Sequence, residues 1–518
     1  MARTKAALGA GARLADYLSA SLMARVVPPA IVHEVLDARG RNSRRIRAFP
    51  AVAGVYYVMA LSLYPEASYE AVFSAVSQGL AWEAGAPQPA GVSKVAISLL
   101  RSRIGAQPLA DLVQRCCLPL ADAAIHPGAF YRGLRLVGID GSTFELADEP
   151  EIEKAFGRPG GRQGPAGYPQ ARCVVLAECA THAILGANIG EYRSGEWALC
   201  QPLLASLKPG MLCMADRGFN GFEHWEQARA TGAQLLWRCA VNRNLPVEQA
   251  LDDGSYLSTI RPTGVRVAEA QTRAITVRVI DYKLPKLPDA QPHYRLITTL
   301  LDAQVAPAME LAELYHRRWE MEAIYDELKT HLRQSRRVLR SRTPELVRQE
   351  FYGWVLMHYT VRWLLHQGAA RHRIPHEDLS FTGHVQMLRQ EQPLSGAFPP
   401  QSGRESAPGG SPACLMPAQA CAPAGRSTAA RPAWSSAETR ATRPLPGVRP
   451  GAFRSTARRR PHRRCWWLRQ AARDCDVLGP RATRVAASSS KLTVLTPNPA
   501  TRTPPPVKRL FGIWLSLK

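Results

Sequence analysis

Apolar residues in the first 125 positions recur at helical spacing. VPPAIVHEVLDA, VAGVYYVMALSLY and SYEAVFSAVSQGL each show the period or the length of a helix, and Ser68 stands where an N-cap would open the third. The uncharged run from Ala48 to Pro65 holds two prolines and three tyrosines. A membrane span needs about 20 mainly apolar residues, so this run predicts a buried helix beginning after Pro50. GVSKVAISLLRSRIG, residues 91–105, predicts a short helix opening at Ser93, with Lys94, Ser98, Arg101 and Arg103 on its polar side. It follows a Gly/Pro-rich turn. A helix that reads DNA and a plain solvated helix both fit it.

The pattern changes at residue 131. YRGLRLVGIDGSTFEL alternates and then runs apolar, as a strand does. ARCVVLAECATHAILGANIG predicts two more strands around a hairpin turn at Thr181-His182. EWALCQPLLASL reads as a helix, MLCMADRGF as a short strand ending at Asp216, HWEQARA as a helix and QLLWRCAVN as a strand. That order predicts an α/β domain with a mixed sheet. VRVAEA, AITVRVIDY and YRLITTLL then interrupt it with β-rich sequence. A charged helix containing YHRRWEMEAIYDELK follows, and after it an apolar one, QEFYGWVLMHYTVRWLLHQ. From about residue 400 Pro, Ala, Gly, Ser and Arg appear without period, a composition that cannot build an ordinary core. Cys414, Cys421, Cys465, Trp466 and Trp467 scattered through it favour an out-of-frame reading of a GC-rich gene over a disordered basic arm.

Charge follows the same division. Of the net +24, residues 401–518 hold +17, from 21 Lys+Arg against 4 Asp+Glu, and the other 400 residues only +7. The basic pI is therefore weak evidence for nucleic-acid binding by the folded body. RGRNSRRIR, with Arg39, Arg41, Arg44, Arg45 and Arg47, is a denser basic cluster that fits a phosphate-holding segment or a solvated loop. The 11 cysteines include no C-x-x-C pair and no zinc-finger spacing, which predicts reduced thiols and a cytosolic setting. No continuous apolar stretch near the N-terminus predicts a signal peptide.

At 100° per residue, Arg318, Glu322 and Lys329 fall at about −60°, −20° and −40° from Tyr315, one narrow line on a helix. Alone, this fits a salt-bridged amphipathic helix with Met321, Ile324, Leu328 and Leu332 on its core side. Two acidic residues close strand-like runs, Asp140 in GIDGSTFEL and Asp216 in ADRGFNG, and each alone reads as a turn residue. Together with Glu322 they meet a chemical need. Two divalent ions held by a few carboxylates can activate a nucleophile against a phosphodiester and stabilise the leaving oxygen.

GIDGSTFEL, ADRGFNG and Y-x-x-R-x-x-x-E-x-x-x-x-x-x-K, met by Tyr315, Arg318, Glu322 and Lys329, resemble the transposases of the insertion-sequence-four family. VLRSRTPELVRQEFYG and the N-terminal RRIRAFPAVAGVYYVMALSLY are also similar to it, and the resemblance covers residues 15–400. It implies an α/β, RNase H-like mixed sheet with flanking helices, a β-rich insertion at about 240–305, and an all-α N-terminal domain. The boundaries expected are 1–125 for end binding and 131–400 for catalysis, with 401–518 as the basic tail.

It also implies a DDE enzyme for cut-and-paste transposition in the bacterial cytoplasm, at the nucleoid. Asp140, Asp216 and Glu322 would bind Mg²⁺ or Mn²⁺. Tyr315, Arg318 and Lys329 would contact DNA phosphate, with Arg44, Arg45, Lys94 and Arg101 as further DNA contacts. Trp319 would either stack on a displaced base or pack in the core. The partners implied are transposon-end and target duplexes and a second copy of the chain in a synaptic homodimer, with no membrane. The sequence departs from the family after LSGAFPP, residues 394–400. That leaves an alternative: a catalytically silent remnant that occupies transposon ends and inhibits transposition. A host-serving metal nuclease on the same fold is a third reading.

Overall fold

The structure is a computed structural model that describes residues 22–44, 49–74, 92–161, 164–165, 167–283, 293–332, 338–372, 379–395 and 493–494. The apolar runs after residue 131 form five strands: β1 Leu134–Glu145, β2 Gln170–Glu178, β3 Ile184–Glu191, β4 Met211–Ala215 and β5 Gln234–Cys239. They lie in the order β3-β2-β1-β4-β5. β1 pairs in parallel with β4, and β4 with β5, while β2 is antiparallel to both of its neighbours. This is the mixed α/β sheet that the strand pattern predicts. The β2–β3 hairpin turns at Thr181-His182 as expected, with His182 in the left-handed region at φ 57°.

The β-rich stretch extends this sheet. β6 Gln249–Ala250, β7 Tyr256–Ile260, β8 Ile275–Lys283 and β9 Tyr294–Thr298 continue it in the order β9-β8-β7-β6 outward from β5. One expectation fails here. VRVAEA is not a strand; Val267–Thr272 is a short helix, in keeping with the helix propensity of its Ala, Glu and Gln. Arg278 of β8 is fully buried, donates to Asp253 and to the Ala306 carbonyl at 2.6 Å, and Asp253 accepts from the Ala308 N–H at 2.7 Å. The extension thus grips the start of the helix at Ala308.

The described helices used below are α1 Pro29–Ala38, α2 Ala51–Ala60, α3 Lys94–Ile104, α4 Gln107–Cys116, α5 Glu196–Cys200, α6 Phe222–Ala230, α7 Ala308–Tyr315, α8 Glu320–Asp326, α9 Pro344–His372 and α10 Phe381–Ser395. EWALCQPLLASL is α-helical only to Cys200 and tightens into a 3-10 turn over Gln201–Ser206, where Pro202 lacks an N–H. α2 opens after Pro50 with all ten residues buried, as the uncharged run predicts. Ser68 and Ser93 both cap as expected, accepting from the N–H of Ala71 at 3.1 Å and of Ala96 at 3.3 Å.

α9 packs on α2, α3 and α4, so the N-terminal helices share a core with the chain's later half. Gly353 permits this: a Cβ there would stand 2.7 Å from Val58 Cγ1 and 3.0 Å from the Val58 carbonyl. Arg101 belongs to the same packing and corrects an expectation. It is 1% exposed and donates to Gln349 Oε1, the Tyr69 hydroxyl and Ser341 Oγ, each at 2.9 Å. Its guanidinium is committed to the interior and is not offered to DNA. The outward side of α3 instead carries Lys94, Val95 and Leu99. Among the described residues no helix is long and apolar enough to cross a membrane, and the described cysteines are free thiols.

Candidate active site

Parallel pairing of β1 with β4 ends at Ile139 opposite Ala215. The next residues are Asp140 and Asp216, on neighbouring strand lines about 4.8 Å apart. The carboxyl ends of adjacent parallel strands are where open α/β sheets bind ligands. β1 does not stop at Asp140, as its following glycine predicts, but runs on to Glu145 beside β2, with a last bridge from Glu145 to Val338. Asp140 therefore sits on held backbone: its own Gly141 N–H donates to Oδ1 at 2.9 Å. Asp216 does follow a strand end. Its Oδ1 caps the 3-10 turn Arg217–Phe219, accepting from the Gly218 N–H at 2.5 Å.

Residues 315–332 do not form one uniform α-helix. α7 ends at Tyr315, a 3-10 turn covers His316–Trp319, α8 carries Glu322, and a π-helical turn covers Glu327–Leu332. A constant 100° step therefore does not hold. In a 3-10 turn residues three apart eclipse, and Arg318 lies over Tyr315 with Cζ 5.9 Å from the ring centroid.

This run is clamped to the strand ends. Arg318 Nη1 donates to Asp140 Oδ2 at 3.3 Å, the Tyr325 hydroxyl to the Asp140 carbonyl at 2.7 Å, and Lys329 to Ser142 Oγ. Gly138, Asp140 and Ser142 alternate onto one face of β1. Gly138 lets α8 approach: a Cβ there would stand 2.7 Å from Met321 Sδ.

The expected phosphate contact of Tyr315 is corrected by its position. The ring is buried and its hydroxyl donates to the Ala215 carbonyl at 3.2 Å, steadying β4 just before Asp216. Trp319 is 50% exposed, which removes the core-packing alternative. Arg44 and Lys94 are exposed, and Arg45 lies outside the described residues.

The electrostatics centre on Asp140. Burial pushes its carboxyl up to about 6; Arg318 and the Gly141 N–H oppose the rise, while Asp216 and Glu196 add to it. Burial, and then the charge of Asp140, raise Glu322 as well, against the pull of Arg318. Burial disfavours the charge on Arg318, yet Tyr315, Asp140, Asp216 and Glu322 together hold its pKa above the ordinary value. One guanidinium thus answers all three carboxylates.

Glu196 is a fourth carboxylate that the sequence pattern does not single out. A Cβ on Gly141 would stand 2.6 Å from its Oε1, and one on Gly218 3.1 Å from its Oε2, so both glycines make room for it. Arg172 Nη1 lies 3.5 Å from Oε1. A lone Glu at the start of a short helix reads as a partner of the helix dipole, and nothing in GEWALC marks it otherwise.

Among the described residues no three His, Cys, Asp or Glu side chains are grouped so as to hold a metal ion. The donors present are carboxylates: the charge of Asp216 acts on Asp140, and that of Asp140 on Glu322. Mg²⁺ is ordinarily bound by one or two carboxylates, with water and substrate phosphate completing its shell.

Residues 18–114 match the family described as "Insertion element 4 transposase N-terminal", and residues 131–360 match "Transposase DDE domain". The chain is 25% identical over 355 residues to "Transposase InsG for insertion sequence element IS4" of Escherichia coli (strain K12), covering 68% of this chain and 75% of that protein. It is also 25% identical over 158 residues to "Putative transposase InsZ" of the same organism, covering 30% and 52%. A piggyBac transposase synaptic complex with hairpin DNA aligns at a TM-score of 0.35 and 11% identity, over 73% of this chain and 80% of that one. The chain belongs to the insertion-sequence-four family of DDE transposases, DNA-binding proteins that generally act with divalent metal ions.

Proposed function

We propose that this transposase cuts the DNA at the ends of its element and joins the freed 3′ hydroxyl to target DNA, with Asp140, Asp216 and Glu322 as the ligands of two divalent ions, Mg²⁺ or Mn²⁺. The observation that carries this reading is the strand register. It ends with Ile139 beside Ala215, one residue short of Asp140 and Asp216, and Arg318 and Tyr325 tie the run that bears Glu322 to Asp140. When bound, the ions supply Lewis-acid activation of water and stabilisation of the leaving oxygen.

The protein's own part is placement. Asp140 is fixed by Gly141, Arg318 and, through its carbonyl, Tyr325. Arg318 stands where it can pair with Asp140 or with an incoming phosphate, and Lys329 adds a second cation two residues along β1. Trp319 offers an exposed ring for a base displaced beside the cut, as aromatic rings do for flipped nucleotides. Arg44 and Lys94 offer exposed cations to the end duplex. Action on paired ends as a homodimer at the nucleoid belongs to the same reading and rests on the family resemblance. The reading of a silent end-binding remnant is not favoured by the comparisons.

The test is cleavage of a duplex made from the inverted repeats flanking the gene, with Mg²⁺ or Mn²⁺. The full chain should nick it, and Glu322→Gln should bind it with similar affinity while cutting at least about a hundredfold more slowly, the scale of losing a group that acts only in the transition state. A full chain that binds the ends and leaves them uncut with either ion would overturn the reading.

A further inference from the structure

Behind the strand-end site lies a buried charged cluster that the reaction does not use directly. Glu327 opens the π-helical turn and is 7% exposed. Arg362, on α9, grips it with two donors, Nε at 2.9 Å to Oε2 and Nη2 to Oε1. His358, one turn earlier on α9 and fully buried, approaches Oε2 at 2.9 Å through Nε2. His182, at the tip of the β2–β3 hairpin, meets Glu320 Oε2 at 2.9 Å through Nε2, and its Nδ1 lies 2.8 Å from Glu327 Oε1 and 2.5 Å from Arg362 Nη2.

Burial holds both imidazoles well below their ordinary pKa, so both rings are neutral. A neutral His182 ring has one N–H, which donates either to Glu320 from Nε2 or to Glu327 from Nδ1. His358 donates from Nε2 to Glu327. Burial lowers Arg362, but a guanidinium remains charged at neutral pH. Phe381 of α10 closes the cluster, its ring centroid 5.2 Å from Arg362 Cζ.

The placement of the anchors is what matters. Glu320 and Glu327 bracket α8, the helix that carries Glu322, and Glu327 also starts the turn that carries Lys329. A π turn needs a local cause, because its winding differs from that of α8 before it, and such turns are frequent at functional sites. Removing a buried charge pair together often leaves stability unchanged, whereas removing one partner does not. A cluster of this kind therefore contributes more to specifying one geometry than to holding the fold.

We propose that Glu327 and Arg362, supported by His182 and His358, are positioning residues that fix the π turn and so set Glu322 and Lys329 over β1 for DNA cleavage. This rests on the proposed metal-dependent cleavage. The test uses the full chain carrying Glu327→Gln together with Arg362→Met, which removes both buried charges and leaves His358 an acceptor. Three measurements are needed: amide hydrogen exchange by mass spectrometry, end-duplex affinity, and the cleavage rate with Mg²⁺. Exchange across residues 320–332 should speed up at least tenfold while residues 134–145 keep parental protection. Affinity should stay within about threefold and the cleavage rate should fall at least tenfold.

Arg362→Lys keeps the charge with a single donor head. It should show exchange and cleavage intermediate between the parent and the double variant, and if the double variant does not fold, fully parental exchange and cleavage in Arg362→Lys would overturn the proposal. Parental exchange across 320–332, or parental cleavage in the double variant, would overturn the proposal. If Glu322→Gln cuts like the parent, the cleavage reading fails on its own, and the exchange result still decides whether this cluster braces the helix.

Discussion

At the residue scale, Asp140 ties stability to pH. Its folded pKa, about 6, lies above the ordinary value because burial disfavours the charge. A carboxyl raised on folding stabilises the fold while protonated and loses that contribution as pH climbs through the folded value. In metal-free protein, Asp140→Asn should therefore match the parent below about pH 4, gain on it as pH rises, and hold a constant advantage above about pH 6. The gain is at most about 3 kcal/mol, at roughly 1.4 kcal/mol per pH unit between the two pKa values. Thermal unfolding of both proteins across pH 4–8 in EDTA checks it, and a difference constant over that whole range would contradict the assignment. Asp140 alone reads as a turn residue, and only its company with Asp216 and the Y-R-E-K run singles it out. Arg101 was not legible, since its partners Gln349 and Ser341 lie some 240 residues away in sequence. Arg101→Met should accordingly destabilise the fold by about 3 kcal/mol or more, as loss of a buried, multiply bonded cation does. Lys94→Ala should leave unfolding unchanged and weaken end binding alone.

At the element scale, the sequence carries the existence of each strand and helix better than its winding. The Y-R-E-K spacing survives in the fold although the run passes through 3-10, α and π turns. No residue in HRRW or ELKTHL announces the change, because it is imposed from outside by strand contacts and by Arg362. What the glycines do is likewise invisible until the partners are seen. Gly138 reads as an ordinary strand residue, yet it is the point where α8 lies on β1. Gly138→Ala should cost about 1–3 kcal/mol by overpacking against Met321. Met321→Ala alone should cost about 2–5 kcal/mol through the cavity it opens. The two together should be less destabilising than their sum by more than about 1 kcal/mol, because each relieves the other. Denaturant unfolding of the four proteins of this cycle gives the coupling, and strict additivity would show that the helix does not rest on Gly138.

At the scale of the whole molecule, the body and the tail differ in kind. One buried core runs from α1 and α2 through α9, and the sheet's extension ties to α7 through Arg278 and Asp253. Both links join segments far apart in sequence, which is why the helical and α/β stretches were legible separately and their joining was not. Residues 401–518 hold +17 of the net charge, and their described contribution to this body is the pairing of Thr493–Val494 with Tyr282 and Lys283 on β8. Deleting them should therefore change charge far more than stability. The unfolding temperature should stay within about 2 °C, no more than the shift of about 2–4 °C that 1 kcal/mol produces in a domain of 150–250 residues. Random-duplex binding should weaken at least tenfold at low salt, because every phosphate that is no longer neutralised takes about 0.9 off the slope of log K against log salt. Scanning calorimetry and a salt titration of duplex binding measure the two effects on the same pair of proteins. A large fall in unfolding temperature with an unchanged salt slope would mean that the tail builds core and leaves the phosphates to the body.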